Sequence, residues 1–262
     1  MNRSDLMICG VTGALAAIGV AAAVRSYRGR VALPGPFVGP TMTIPPRLEN
    51  TLVLTSPSGL ITMDDATHVR RQLETLTGPI RVVIHSLGGL LLASMHIAHS
   101  LKLYPGAVTA YVPHYAMSGG TMVALAADEI VMDRSAILGP VDPLIEGHPA
   151  ATVDQLLRQK PVETIGDEWY VRGLESRKVL GEVRELVQAF VASPAAVERL
   201  VSGERTHTNP ITLDEARVLG LPVREGVPRE VAAVLEATLR HQQQAQALCM
   251  PRMTYLGPRG HR

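Results

Sequence analysis

Two glycine turns, each set where an apolar, β-branched run gives way to a helical pattern, constrain this chain more than any other feature. In the first, Val82-Val83-Ile84-His85-Ser86-Leu87-Gly88-Gly89, a strand-like run ends in two glycines. A helical pattern follows from about Leu90 to Leu103, with Leu91, Met95, Ala98 and Leu101 spaced to bury one face. In the second, the alternating run Val108 to Val112 leads to Tyr115-Ala116-Met117-Ser118-Gly119-Gly120-Thr121, and the small apolar residues Met122 to Ala127 begin a buried helix. Two strand–glycine–helix units in series make an α/β chain. They also set one hydroxyl, Ser118, at a strand-to-helix junction, where the first free N–H groups of the helix face whatever that serine attacks. Gly88 and Gly89, lacking a Cβ, let a bare backbone N–H approach a reacting carbonyl. Either turn alone is ordinary, since Gly and Ser dominate turns for conformational reasons; the pairing is what points to a nucleophile.

The front of the chain carries a second signal. Leu6 to Val24 is free of charge and close to the roughly 20 apolar residues that cross a bilayer as a helix. Arg25, Arg28 and Arg30 follow it, whereas Arg3 and Asp5 nearly cancel before it. The positive-inside rule then keeps the main domain in the cytoplasm, on a single-pass helix in contact with membrane lipid. A cleaved signal peptide is the alternative, with Ala21-Ala22-Ala23 as its small-residue cleavage site. Pro34, Pro36, Pro40, Pro45 and Pro46 mark an extended linker. Thr51 to Leu54 reads as a first strand and Asp64 to Leu76 as an amphipathic helix. The stretch from Glu146 to Glu168, with Pro149, Pro161 and several acids, is less regular and either covers a cleft or makes subunit contacts. Beyond Pro228 a helical pattern, Arg229 to Ala247, leads into a Gln-rich, then Met-Pro-Arg-rich tail expected to be flexible. Lys and Arg total 25 against 24 acids, a formal charge of +1, so nucleic acid is not an expected partner. Cys9 and Cys249 form neither a plausible pair nor a cluster, and no metal or organic cofactor is expected.

The ordered motifs Ser86-Leu87-Gly88-Gly89, Met117-Ser118-Gly119-Gly120-Thr121, Ala126-Ala127-Asp128-Glu129-Ile130 and Leu138-Gly139-Pro140-Val141-Asp142-Pro143 resemble the ClpP-class serine peptidases. Within that class the chain most resembles the membrane-associated family labelled serine dehydrogenase proteinase, related to signal peptide peptidase A and the NfeD-type membrane proteases. The likeness spans roughly Thr51 to Val223. It implies a ClpP/crotonase-like α/β spiral preceded by an N-terminal transmembrane helix. The segments become 1–30, anchor with basic flank; 31–50, linker; 51–228, peptidase domain; and 229–262, C-terminal helix and tail. It further implies Ser118 as nucleophile, an oxyanion hole from the backbone N–H groups of Gly89 and Gly119, and Gly88 shaping the turn. A homo-oligomer acting on membrane-derived peptides or membrane proteins is the expected assembly.

A serine hydroxyl needs a base, because free Ser is almost wholly protonated at neutral pH. His85 precedes the first glycine turn and His114 lies four residues before Ser118, so both are candidates. The stretch where ClpP carries its histidine, Ala136 to Pro143 here, has none. The related membrane proteases use a Ser–Lys dyad, in which burial lowers the lysine pKa until a neutral amine accepts the hydroxyl proton. Beyond Ser118 the chain has only Lys160 and Lys178. Lys178 resembles the dyad lysine in place, early in a helical pattern running through Val183, Leu186, Val187 and Phe190, with the segment Thr212 to Leu221 further on. The expected pair is therefore Ser118 with Lys178, Lys160 being the alternative. Asp128 and Glu129 are read as helix-terminating and structural, Asp142 as orienting a site group or an interface, and His207 as a surface or structural residue. The resulting expectation is an ATP-independent serine endopeptidase. A catalytically inactive scaffold for membrane-protein partners and a crotonase-type acyl-CoA enzyme are the other readings.

Overall fold

Alternation along the buried strands gives the central sheet two covered faces. A computed structural model of the chain describes residues 48–55 and 59–249. In β3 (Ile80–Ile84), Val82 and Ile84 enter one hydrophobic cluster and Val83 another. The strand β5 (Val108–Val112) separates Ala110 and Val112 from Tyr111 in the same way, and β7 (Glu129–Met132) separates Ile130 and Met132 from Val131. Successive side chains of a strand point to opposite faces, so runs that are apolar throughout belong in a sheet buried on both sides. With β1 (Thr51–Leu54) and β12 (Val223–Glu225) these strands form a five-stranded parallel sheet in the order β1-β3-β5-β7-β12.

Each of the first four main strands is followed by a short one, and three of these lead into a helix. The succession is β2 (Leu60–Ile61) to α1 (Met63–Leu73), β4 (Gly88–Gly89) to α2 (Leu91–Lys102), β6 (Tyr115–Ala116) to α3 (Gly119–Leu125), and then β8 (Ile137–Leu138). The short strands pair among themselves: β2 with β4, and β6 with β8, which also pairs antiparallel with β11 (Ile211–Thr212). The repeat of long strand, short strand and helix is the α/β spiral expected from the sequence. Helices α1 to α3 bury Val69, Ile97 and Leu125 in the larger cluster. On the other face, α8 (Arg229–Cys249) lays Val231 and Leu235 over Val83, Tyr111 and Val131.

Local signals explain where the helices start. Thr62 caps α1 reciprocally, its Oγ1 accepting the Asp65 N–H at 3.3 Å while its own N–H donates to Asp65 Oδ2 at 2.7 Å. The stretch expected to be irregular instead holds the hairpin strands β9 (Leu144–Ile145) and β10 (His148–Pro149), then α4 (Ala150–Gln159). Pro149 sits at the N-cap and Pro161 just beyond the C-cap Lys160, so the two prolines punctuate a helix rather than prevent one. The long helix α5 (Asp167–Phe190) begins well before Lys178, which is therefore mid-helix. After it come α6 (Pro194–Val201) and α7 (Leu213–Val218). The expected anchor, nearly all of the proline-rich linker, and the tail beyond Cys249 lie outside the described residues. Among the described residues no helix is long and apolar enough to cross a membrane.

Candidate active site

The turn after β6 is strained at one residue. Ser118 has φ 48° and ψ −116°, a positive-φ backbone that residues other than glycine rarely adopt. Such a conformation costs on the order of 1–3 kcal/mol and persists only where the surroundings over-determine it. They do so here. The Met117 N–H donates to the Ser86 carbonyl at 2.9 Å, and the Gly120 N–H to the Met117 carbonyl at 2.7 Å. Buried Thr121 places its Oγ1 2.6 Å from the Ala116 carbonyl and 2.9 Å from that of Gly139, tying the serine turn to the next one. Gly88 (φ 108°) closes the third side, where a Cβ would lie 2.8 Å from Ser118 Cβ and 3.2 Å from the Gly119 nitrogen.

These contacts sort the three glycines expected at the oxyanion hole. Gly119 is the first residue of α3, a position whose N–H has no partner inside its helix. A Cβ on Gly119 would stand 3.6 Å from the Gly89 nitrogen, so the two backbones adjoin. Gly89 has φ 155°, and a Cβ there would meet Ile61 backbone atoms at 2.2 and 2.3 Å. Both line one cleft with Ser118. The Gly88 N–H, by contrast, donates to Ser86 Oγ at 3.1 Å and is already used. The Gly88 N–H is thus held within the turn, while Gly89 and Gly119 lie beside Ser118 in the cleft.

The cleft encloses about 670 Å³ and is walled mainly by apolar side chains, among them Leu90, Met122, Leu144, Ile145, Val179 and Val183. Besides Thr62 and Ser118, the polar residues in that lining are Asp142 and His207. Both lie just beyond the ends of paired strands. Antiparallel β8 and β11 set Leu138 opposite Ile211, and the segments that leave these strands, one bonded to α6 through the Val141 N–H and the Leu200 carbonyl and the other closed by a turn at 206–209, bring Asp142 and His207 to the cleft. The His207 loop is fastened from behind by Arg199, which donates to Asn209 Oδ1 at 2.7 Å and to Glu215 Oε1 at 2.6 Å. His207 Nδ1 lies 3.8 Å from Asp142 Oδ2, and Asp142 is only 2% exposed. Among the described residues, neither Asp142 oxygen nor His207 Nδ1 has a hydrogen-bond partner. A buried carboxylate is costly unless partnered, and the facing His207 nitrogen is a group that can partner it.

The other candidate bases lie elsewhere. The Lys178 side chain is 66% exposed and its Nζ donates to Glu175 Oε1 at 2.7 Å. That hydrogen bond and the Glu175 charge, with Glu182 adding, hold its pKa above the ordinary lysine range, the reverse of what a general base requires. Its neighbour Val179 reaches the cleft and Lys178 does not, because a helix turns about 100° between them. Lys178 thus stands outside the cleft that Ser118 lines. Lys160, exposed at the end of α4, is not in the cleft lining either. His85 and His114 approach each other, Nδ1 to Nδ1 at 3.3 Å, and His114 Nε2 lies 3.6 Å from Glu236 on α8. Neither lines the cleft. Asp128 and Glu129 are structural as expected: Asp128 Oδ2 accepts the Val108 N–H at 2.8 Å, and Glu129 pairs with Arg224 at 2.5 Å.

A parallel sheet wound through successive glycine turns is the architecture of the ClpP-like α/β proteases. The structure of a point mutant of ClpP1 from Listeria monocytogenes matches 70% of this chain and 94% of its own, with a TM-score of 0.50 and 17% identity, a likeness of fold. The sequence narrows the class. Residues 43–255 match the family described as ClpP-like SDH-type serine proteinase, and the chain belongs to that family. Two uncharacterized proteins of Methanocaldococcus jannaschii, MJ0137 and MJ1495, are each 38% identical to it over 185 residues. The matches cover 67% of this chain and 65% and 63% of the two relatives, so the chain spans a little under two thirds of their length.

Proposed function

We propose that the chain is a serine endopeptidase in which Ser118, His207 and Asp142 act together, in place of a Ser–Lys dyad. Ser118 Oγ attacks the peptide carbonyl carbon while His207 takes its proton, and the oxyanion receives hydrogen bonds from the Gly89 and Gly119 N–H groups. His207 returns the proton to the leaving amine as the C–N bond breaks. Water, deprotonated by the same imidazole, then hydrolyses the acyl-serine. Asp142 holds the ring through Nδ1 and stabilises its charged form, the 3.8 Å gap closing when substrate fills the cleft.

One observation carries this reading: a buried carboxylate and an imidazole nitrogen, without other partners among the described residues, face each other in the cleft that Ser118 lines. The apolar walls suit peptides with apolar side chains. Exposed Tyr170, Val171 and Leu174 on α5 support a homo-oligomer. The same reading takes Leu6 to Val24 as a single-pass anchor, the domain as cytoplasmic, and membrane-derived peptides or membrane proteins as substrates. Its test is fluorophosphonate labelling of the detergent-solubilised chain, located by peptide mass spectrometry. Labelling at Ser118, absent in Ser118→Ala together with a loss of peptide hydrolysis of about ten-thousandfold or more, is expected. An intact, unlabelled protein would instead be a scaffold on a protease fold.

A further inference from the structure

One wall of the cleft belongs to neither the main sheet nor the short-strand ladders. It is the β9–β10 hairpin, whose strands pair, among the described residues, only with each other and whose Leu144 and Ile145 line the cleft beside Ser118 and His207. Strands of two residues do not hold a hairpin in water, so its position must be fixed from outside. Its turn is Glu146-Gly147, with φ 49° and 85°. Positive φ at both central residues is the type I′ pattern, which Asn-Gly or Asp-Gly meets with less strain than Glu-Gly.

What the longer Glu146 side chain gains is reach. Arg172 on α5 donates from Nε to Glu146 Oε2 at 2.8 Å, adds a second bond to the same oxygen, and donates to Glu168 Oε1 at 2.7 Å. Its guanidinium stands 5.0 Å over the Trp169 ring, and that ring meets His148 of the returning strand edge-on at 5.2 Å. The Arg172 side chain is only 18% exposed. Single exposed ion pairs hold little, but a planar fork shared by two carboxylates and stacked on an indole has little freedom to give up. Helix α5 also sends Val179 and Val183 into the cleft, so a clamp between the hairpin tip and α5 fixes the spacing of two cleft walls.

We propose that Arg172 is a positioning residue that clamps the β9–β10 hairpin to α5 and so sets how tightly the cleft grips an apolar peptide. This rests on the reading of Ser118 as the nucleophile. The test compares the full chain with its Arg172→Met and Arg172→Lys variants, using a fluorogenic peptide with apolar side chains, a small fluorophosphonate, and hydrogen exchange. In Arg172→Met, KM is expected to rise about tenfold with kcat within about twofold, the scale of lost apolar contacts. Exchange of the 144–149 amides should accelerate while that of the central sheet does not, and fluorophosphonate labelling should change by less than about twofold. Arg172→Lys, keeping the charge without the fork, should fall between. Labelling of Ser118 together with unchanged KM and unchanged hairpin exchange in Arg172→Met overturns the clamp alone, as does acceleration spread through the whole chain. Failure of the unaltered protein to label at Ser118 overturns the reading of the site, and the peptide-gripping role with it.

Discussion

Two histidine sites among the described residues differ in what faces them. His85 and His114 lie next to the glycine and serine turns in sequence, yet they satisfy each other and meet Glu236 and the Tyr115 ring, away from the cleft lining. His207 is far from Ser118 in sequence, but it lines the same cleft and turns Nδ1 toward a buried carboxylate. Proximity along the chain favours the first pair; a shared cavity and unfilled hydrogen-bonding capacity favour the second. For a catalytic group the second criterion decides, since chemistry depends on which atoms meet a bound carbonyl.

The largest effect expected from this contrast is in alanine substitutions. His207→Ala should lower kcat/KM for a peptide substrate by roughly a thousandfold or more, while His85→Ala and His114→Ala each stay within about threefold. Equal losses at both sites would dissolve the distinction. Next, Asp142→Asn should reduce kcat by roughly a hundred- to ten-thousandfold with KM little changed, because an amide holds the imidazole in the wrong tautomer. A wild-type rate in that variant would remove Asp142 from the account and leave His207 acting alone.

The smallest effect concerns stability. Burial, and then the neighbouring His114, push the His85 pKa below its ordinary 6.5, with Glu236 acting the other way. A depressed folded pKa contributes stability that is complete above the unfolded value and is lost as the pH falls through the lower folded value. Acidification below about pH 6.5 should therefore lower the Tm, and His85→Gln should flatten that dependence by a few degrees at most. The change falls at the α8 contact, so thermal scans from about pH 7.5 to about pH 5 would resolve it while hydrolysis kinetics need not. An identical Tm profile in the variant would mean that His85 titrates as it does in the unfolded chain.

How much of this is legible in the sequence follows the range of each signal. The strands Thr51–Leu54 and Val108–Val112 are readable to the residue, since β-branched runs bounded by turn residues signal locally. So is the Ser118 turn with Gly88 and Gly89, where small residues are forced by close backbone approach. The helix α4 escapes a sequence reading because the prolines that bracket it also look like marks of irregular chain. The proposed base is hidden for a deeper reason. Lys178 and Val179 are adjacent in sequence but face different surroundings, and helical phase is not enough to tell which one the cleft receives. His207 carries no local signature at all. Its place beside Asp142 depends on non-local contacts, the short β8–β11 pairing and the bond from the Val141 N–H to the Leu200 carbonyl, too short to announce themselves.

The most direct measurement is the rate of Ser118 phosphonylation in the unaltered chain, His207→Ala and Lys178→Met. The account predicts efficient labelling that survives intact in Lys178→Met and nearly disappears in His207→Ala. Labelling that persists without His207 but is lost with Lys178 would contradict it.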